Sequence, residues 1–298
     1  MEVLKIKEVL KENRPNISSK TIDTYTSILK NIYKKYHQEG DEPNIKWFQD
    51  EDKIINYLVD INPSIRKTYL SSLIAINKDS HNAKYKMLMM KDAEQSKLKD
   101  LKQEKTEKQE KNWITQEEIK QKFEMMAKQC KTLWNKKDLT KQEYKQCQDL
   151  ILVALTSGLF IPPRRSLDIT ELKLKDVDET KDNYIKKSEF HFNVYKGAKV
   201  KGEQIIKIPK ELVNLLKKFM KLNLNKVYLI EDSQGKKMNS VKLNQHLEKI
   251  WGKKISTNIY RHSYLSSKYP ANFEEMKKDA DQMGTSTNMI LQSYVKKD

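Results

Sequence analysis

Residues 258–269 read NIYRHSYLSSKY, and residues 283–294 read MGTSTNMILQSY. An Arg-His pair sits inside a helix-like, tyrosine-rich run, and a further tyrosine closes the second stretch. Taken alone, the first run is a surface helix whose arginine lays its stem along apolar neighbours and keeps its head in water. Tyr294 has Ile290, Leu291 and Val295 at helical spacing, so taken alone it is a core residue. The rest of the chain decides between these readings and a chemical one.

The 298 residues allow one large domain or two of ordinary size. With 37% hydrophobic and 33% charged residues the chain is polar, but it can still build compact cores. Lys+Arg exceed Asp+Glu by 58 − 41 = 17, and the pI is near 9.4. Such an excess favours a polyanion, because each neutralised phosphate releases condensed counterions. An anionic membrane is the competing partner, yet no apolar run approaches the ~20 residues of a span, so no membrane is expected. The opening MEVLKIKEVL carries acidic residues and no cleavage-site pattern, so it does not read as a secretory signal. Cys130 and Cys147 are the only cysteines. Two thiols make neither a disulfide framework nor a zinc site, which points to a reducing, intracellular compartment.

Residues 1–90 read as all-helical. In ISSKTIDTYTSILKNIYKKYH, Ile22, Tyr25, Ile28, Leu29 and Ile32 share one face at spacings of three or four, with Ser18 or Ser19 as N-cap. GDEPN breaks the pattern. WFQDEDKIINYLVDIN and PSIRKTYLSSLIAINK predict two more helices, with Pro63 suited to a first turn. Residues 91–112, KDAEQSKLKDLKQEKTEKQEKN, are almost wholly charged and polar. They read as a solvated helix or linker or, less simply, as a basic strap along DNA; either way they mark the domain boundary. A second unit begins at 113. Thr115 and Glu118 form a capping-box pattern ahead of an amphipathic run, and YKQCQDLILVALTSGLF predicts a buried helix. DITELKLKDV reads as a short helix. EFHFNVY and QIIKIP alternate with period two about KGAKVKGE, which predicts a β-hairpin with a basic turn.

Four separated elements follow in chain order. PPRRSLDITELKLKDVD holds Arg165 three residues before Asp168; Lys196 opens the hairpin turn; Arg261 lies one helical turn after Asn258; Tyr294 lies ten residues after Gly284. Each has a structural reading. Arg165 can pair with Asp168, Lys196 can be one turn lysine among many, and Tyr294 can be core.

Together these segments resemble the catalytic domain of the tyrosine recombinases, the phage-integrase, Xer and Cre-like family. LTSG followed by RRSLDITELKLKDVD resembles the family's first-arginine segment, and counting back from Asp176 places that arginine at Arg165 rather than Arg164. KGAKVKGEQIIKIP matches the family lysine hairpin at Lys196. NIYRHSY matches the second-arginine motif at Arg261, and GTSTNMILQSY matches the segment that ends on the tyrosine. Asn258 stands where the family usually has histidine, and Thr285 where it has histidine or tryptophan. The resemblance covers 113–298 well, and residues 1–90 are similar, less specifically, to the family's helical core-binding domain.

The resemblance implies a two-domain fold, mainly α with a small antiparallel β-sheet: a helical SAM-like DNA-binding domain at 1–90, a charged linker at 91–112 and an α+β catalytic domain at 113–298. It implies a DNA recombinase that cleaves and rejoins strands through a 3′-phosphotyrosine bond, without metal, ATP or another cofactor. Tyr294 is then the nucleophile and Arg165 and Arg261 the phosphate clamp. Lys196 is the acid for the leaving 5′ oxygen, and Asn258 and Thr285 are lesser donors. Expected DNA contacts are Lys20, Arg66, Arg164, Lys199 and Lys201. The implied partner is double-stranded DNA, wrapped in a C-shaped clamp by the two domains, with self-association as a synaptic tetramer on DNA, at an intracellular location. Two alternatives stay open: a relaxing enzyme of the same chemistry, and a weakened member that binds DNA as an architectural or replication factor.

Overall fold

A computed structural model describes residues 3–39, 44–77, 79–101, 104–222 and 226–269, together with 275–276, 282–283 and 287. Among these the chain is mainly helical and carries one four-stranded mixed sheet. It divides into two compact units, Met1–Lys105 and Thr106–Asp298.

The first unit is built from α1 (Val3–Asn13), α2 (Ser19–Tyr36), α3 (Glu51–Leu58), α4 (Pro63–Ile76) and α5 (Ala83–Leu101). Side chains close the helix starts. Ser18 accepts from the amide of Thr21, Asp50 from that of Lys53, and Asn62 from that of Ser64 with Pro63 in the first turn. On α2, Ile22, Leu29 and Ile32 are buried, while Tyr25 and Ile28 pack at the rim. The core also takes Phe48, Leu70, Leu73 and Tyr85, whose hydroxyl donates to the carbonyl of Phe48 at 2.9 Å.

Two expectations change in this unit. Residues 91–101 take the helical alternative, as the end of α5, and do not begin a linker. Lys, Glu and Gln carry little helix penalty, and Asp92 within the stretch is buried. Asp92 is held by Arg66, whose Nε and Nη2 donate to its two carboxylate oxygens at 2.8 and 2.6 Å. Arg66 Nη1 also donates to the carbonyls of Leu58 and Val59. Arg66, expected at the DNA, is therefore corrected to a buried tie between α4 and α5. A guanidinium with a carboxylate and two carbonyls around it has its donors engaged.

The second unit begins with α6 (Glu107–Lys111) and α7 (Gln116–Cys130), whose Thr115–Glu118 capping box forms. Next come α8 (Lys141–Thr156), capped by Thr140 and Glu143, and the single turn α9 (Ser166–Thr170). The strands are β1 (Leu172–Lys173), β2 (Asn183–Lys186), β3 (Glu189–Phe192) and β4 (Gln204–Lys207), with the one-turn helix α10 (Ala198–Lys201) between the last two. The described part closes with α11 (Lys210–Lys221), α12 (Ser240–Trp251) and α13 (Thr257–Lys268). On α8 every residue from Leu150 to Thr156 is buried, as an axial helix must be when α7, α9, α11 and α12 all pack on it.

The sheet is not purely antiparallel as expected. Its order is β1-β2-β3-β4, with β1 and β2 parallel and the other pairs antiparallel. DITELKLKDV splits accordingly: its first residues complete α9, and Leu172–Lys173 pass into β1. Leu172 and Ile169 are both buried in the core of this unit, and Leu172–Lys173 pair with Asn183–Tyr184, so a continued helix would leave that edge of β2 unpaired. The β3–β4 hairpin forms in the expected place, with Phe190 facing Ile206 and His191 facing Ile205.

Candidate active site

Arg164 and Arg165 sit at the entry to α9, and the structure gives them opposite fates. Arg164 turns inward. Its Nε donates to Asp168 Oδ2 at 2.9 Å and its Nη1 to Gln204 Oε1 at 3.0 Å on β4. Its guanidinium lies over the Phe192 ring, 4.0 Å from the centroid, with Tyr195 at 5.4 Å. This corrects the expected DNA contact at Arg164: the side chain is 12% exposed and its fork is occupied. It also moves the ion pair to Asp168 from Arg165 to Arg164. Arg165 is exposed, and among the described residues its side chain makes no hydrogen bond or ion pair, although its charge helps to lower the pKa of Asp168. Burial pushes the Asp168 carboxyl above its ordinary value, and Arg164 pulls it partly back. The other oxygen, Oδ1, is buried without a hydrogen bond among the described residues.

A second link joins α9 to α13. Ser166, directly after Arg165, shares a buried 2.9 Å hydrogen bond between its hydroxyl and that of Thr257, directly before Asn258. The amide of Thr257 also donates to Asn244 Oδ1 on α12 at 3.2 Å. The start of α13 is thus held against the start of α9, and Arg165 and Asn258 are each the covalent neighbour of a bonded partner. Asn258 is exposed and Arg261, one turn on, is half-buried; neither has a side-chain partner among the described residues. His262 is exposed.

Further along α13, Gln116 Nε2 donates to Ser263 Oγ at 3.1 Å and to the carbonyl of Ser157 at 3.4 Å. Gly158 completes the approach. Its φ is +95°, and a Cβ there would lie 2.6 Å from Tyr264 Cδ2 and 3.3 Å from Pro163 Cγ. Only glycine lets the turn after α8 pass beneath α13.

A third link brings in the hairpin. Asn183 on β2 is fully buried, and its amide donates to the carbonyls of Asp168 and Val194. Its Oδ1 accepts from the amides of Asn193 and Val194 at 2.8 and 2.6 Å. One side chain therefore staples α9 to the segment that runs into Tyr195 and Lys196. The Tyr195 hydroxyl closes the loop on the carbonyl of Gly202 at 2.8 Å. Lys196 is exposed, as are Lys199 and Lys201 on α10, and none of the three has a side-chain partner among the described residues. Lys20 is exposed near the start of α2.

Of the residues singled out from sequence, the segments carrying Arg165, Lys196, Asn258 and Arg261 thus meet around α9. Thr285 and Tyr294 lie outside the described residues. Sequence reasoning missed Asn183, Ser166, Thr257 and Gln116. Each is a polar residue whose partners are remote in sequence, so no local pattern marks it. Among the described residues no group of three or more His, Cys, Asp or Glu side chains is placed to hold a metal ion, and no helix is long and apolar enough to cross a membrane.

No protein-family model matches the chain, and no curated protein matches it. Among solved structures it is similar to the crystal structure of XerA recombinase, with a TM-score of 0.37 and 12% sequence identity over 100% of this chain and 95% of that one.

Proposed function

We propose that this chain cleaves and rejoins DNA strands in the manner of the tyrosine recombinases its motifs resemble, with double-stranded DNA as substrate. The observation that carries the reading is the network around α9. Ser166–Thr257, Arg164–Gln204 and Asn183–Asp168 tie together the segments that bear Arg165, Arg261 and Lys196. Three cations from remote parts of the sequence, without a hydrogen-bond or ion-pair partner among the described residues, make little contribution to stability there. They suit the non-bridging oxygens of a phosphodiester.

In this reading the Tyr294 phenolic oxygen attacks phosphorus. Phenol is a poor nucleophile at its ordinary pKa near ~10, so nearby cations that favour the phenolate matter. Arg165 and Arg261 hold the non-bridging oxygens as charge builds on them, and Lys196 gives its proton to the departing 5′ oxygen. The phosphate stays on the tyrosine as an ester of the 3′ end, and rejoining reverses each step. Asn258 beside Arg261 donates a hydrogen bond but carries no titratable proton at neutral pH. Lys20, Lys199 and Lys201 supply further phosphate contacts, and self-association on DNA follows from the recombinase reading.

The test is covalent capture. Nicked duplexes from a random-sequence library are incubated with the protein in excess chelator, and protein-linked DNA is resolved under denaturing conditions. Wild type yields an adduct and Tyr294→Phe yields none while still binding duplex. An adduct undiminished in Tyr294→Phe removes that tyrosine from the mechanism. Duplex binding without an adduct from wild type turns the reading to a DNA-binding factor that has lost the chemistry.

A further inference from the structure

Away from the candidate active site the second unit holds a cleft of about 1060 Å³. Its walls are the N-terminal half of α8, the end of α11 and the end of α12. The candidate site lies beyond the other end of α8. From Tyr144 in the cleft to Ser157 is thirteen residues, roughly 20 Å along a helix axis. Lysine supplies six of the seventeen lining residues, about twice its share of the chain. Lys226 is engaged by Glu231 at 3.1 Å. The other five, Lys137, Lys141, Lys145, Lys221 and Lys249, are exposed and have no ion partner among the described residues.

The acids of the cleft do not answer these lysines. Glu231 is held by Lys226 and the amide of Tyr228. Asp232 accepts from the amides of Gln234 and Lys236 and pairs with Lys242, which holds its carboxyl down at about 2. Asp138 alone is left against five ammonium groups. The two rings that line the cleft are already engaged: Tyr144 stacks on Phe219 and has Lys226 4.4 Å from its centroid, and His246 is bonded to Asp149 through Nδ1.

We propose that this cleft is a second anion site, built for a compact ligand that carries several adjacent phosphates. The argument is one of charge and shape. Five lysines without ion partners among the described residues line a concavity at the upper limit of small-molecule size, ~300–1,000 Å³, whereas a DNA duplex is convex and would touch only the rim. Ammonium groups on long stems suit a chain of phosphates, which presents charge in many directions, better than one carboxylate. Tyr144 is engaged by Phe219 and Lys226 and His246 by Asp149, whereas the five lysines are not engaged among the described residues, so the proposed recognition is of phosphate and not of a nucleoside. The site is independent of the reading of Tyr294 and stands or falls without it.

Isothermal calorimetry on the full chain tests this with inorganic tripolyphosphate, ATP and orthophosphate as probes, in chelator and at constant ionic strength. Tripolyphosphate and ATP bind once per chain with affinities within about threefold of each other, and orthophosphate at least about tenfold more weakly, since added adjacent charges engage added lysines. The double variant Lys145→Gln/Lys249→Gln loses about tenfold or more in tripolyphosphate affinity. The control double variant Lys11→Gln/Lys30→Gln, equally exposed in the first unit, loses nothing. Lys141→Gln replaces the first double variant if its melting temperature departs from wild type. Four outcomes each overturn the proposal: no tripolyphosphate heat; equal loss in the control; much tighter ATP than tripolyphosphate, which means a nucleoside is read; and displacement of tripolyphosphate by one equivalent of duplex, which places the anion on the DNA surface.

Discussion

Arg164 and Arg165 are identical side chains on adjacent residues, and burial alone separates their work. Arg164 is bonded to Asp168 and Gln204 beneath the hairpin, while Arg165 faces solvent. Arg164→Ala leaves a buried carboxylate without its cation and should cost the second unit about 3 kcal/mol or more. Arg165→Ala should change stability by no more than about 0.5 kcal/mol yet abolish the covalent adduct. Thermal melts beside the capture assay separate the two, and equal melting temperatures would remove the ion pair from the fold's support. The pH dependence has a defined sign. Asp168 is pushed above its ordinary value by burial, so the folded state holds its proton more tightly than the unfolded chain. Stability tied to this group therefore declines as pH rises from the unfolded value toward the folded one. Without Arg164 the folded value rises further, so the deficit of Arg164→Ala should shrink as the solution is acidified toward pH ~4. Gly158 makes a second case. Gly158→Ala meets both a +95° φ and the Tyr264 ring at 2.6 Å, and should destabilise the packing of α13 by roughly 1–3 kcal/mol. A melt unchanged in that variant would mean that Tyr264 moves aside freely.

The helices of the second unit were legible because their ends carry their own chemistry. Thr115 and Glu118 announce α7, and the apolar run from Leu150 to Leu155 announces a helix buried on every side. The β3–β4 hairpin was legible from its alternation. The β2–β3 hairpin was not. Its two-residue turn, Lys187–Ser188, has both residues left-handed at φ 49° and 64°, the conformation that Asn-Gly usually announces. β1 has only two residues, and β2 buries two in succession, Asn183 and Tyr184, so neither shows the alternation that marks β3 and β4. The same observation yields a prediction for this element. Ser188→Gly should relieve the left-handed strain and raise stability by ~0.5–1 kcal/mol despite glycine's freedom in the unfolded chain. A lower melting temperature in Ser188→Gly would mean that the turn takes another form in solution. Legibility of the candidate site followed the same line. Arg165, Lys196 and Arg261 lie in segments with internal spacing, whereas Asn183 and the Ser166–Thr257 pair act across fifteen and ninety-one residues. Only the folded chain brings such partners together.

At the scale of the whole molecule the excess of 17 positive charges is divided among lysines of different standing. Some are tied into ion pairs, such as Lys136 with Glu143 and Lys242 with Asp232. Others, among them Lys196, Lys199, Lys201 and Lys20, face solvent without side-chain partners among the described residues. Only the second kind exchanges counterions for phosphates on binding. If about six such groups meet a duplex, log affinity should fall with log salt at a slope near −5, about three decades between ~50 and ~200 mM. Each of Arg165→Ala and Lys196→Ala should then make the slope shallower by about one. Arg66→Met serves as the contrast, because its guanidinium is bonded to Asp92 inside the first unit. It should lower the melting temperature of that unit and leave the slope of the remaining folded protein unchanged. Fluorescence anisotropy of a labelled duplex across a salt series checks all four proteins. A flat response in wild type would mean that the positive charge does not meet phosphate. A slope lowered by Arg66→Met as much as by Lys196→Ala would mean that Arg66 leaves its buried pair to reach the DNA.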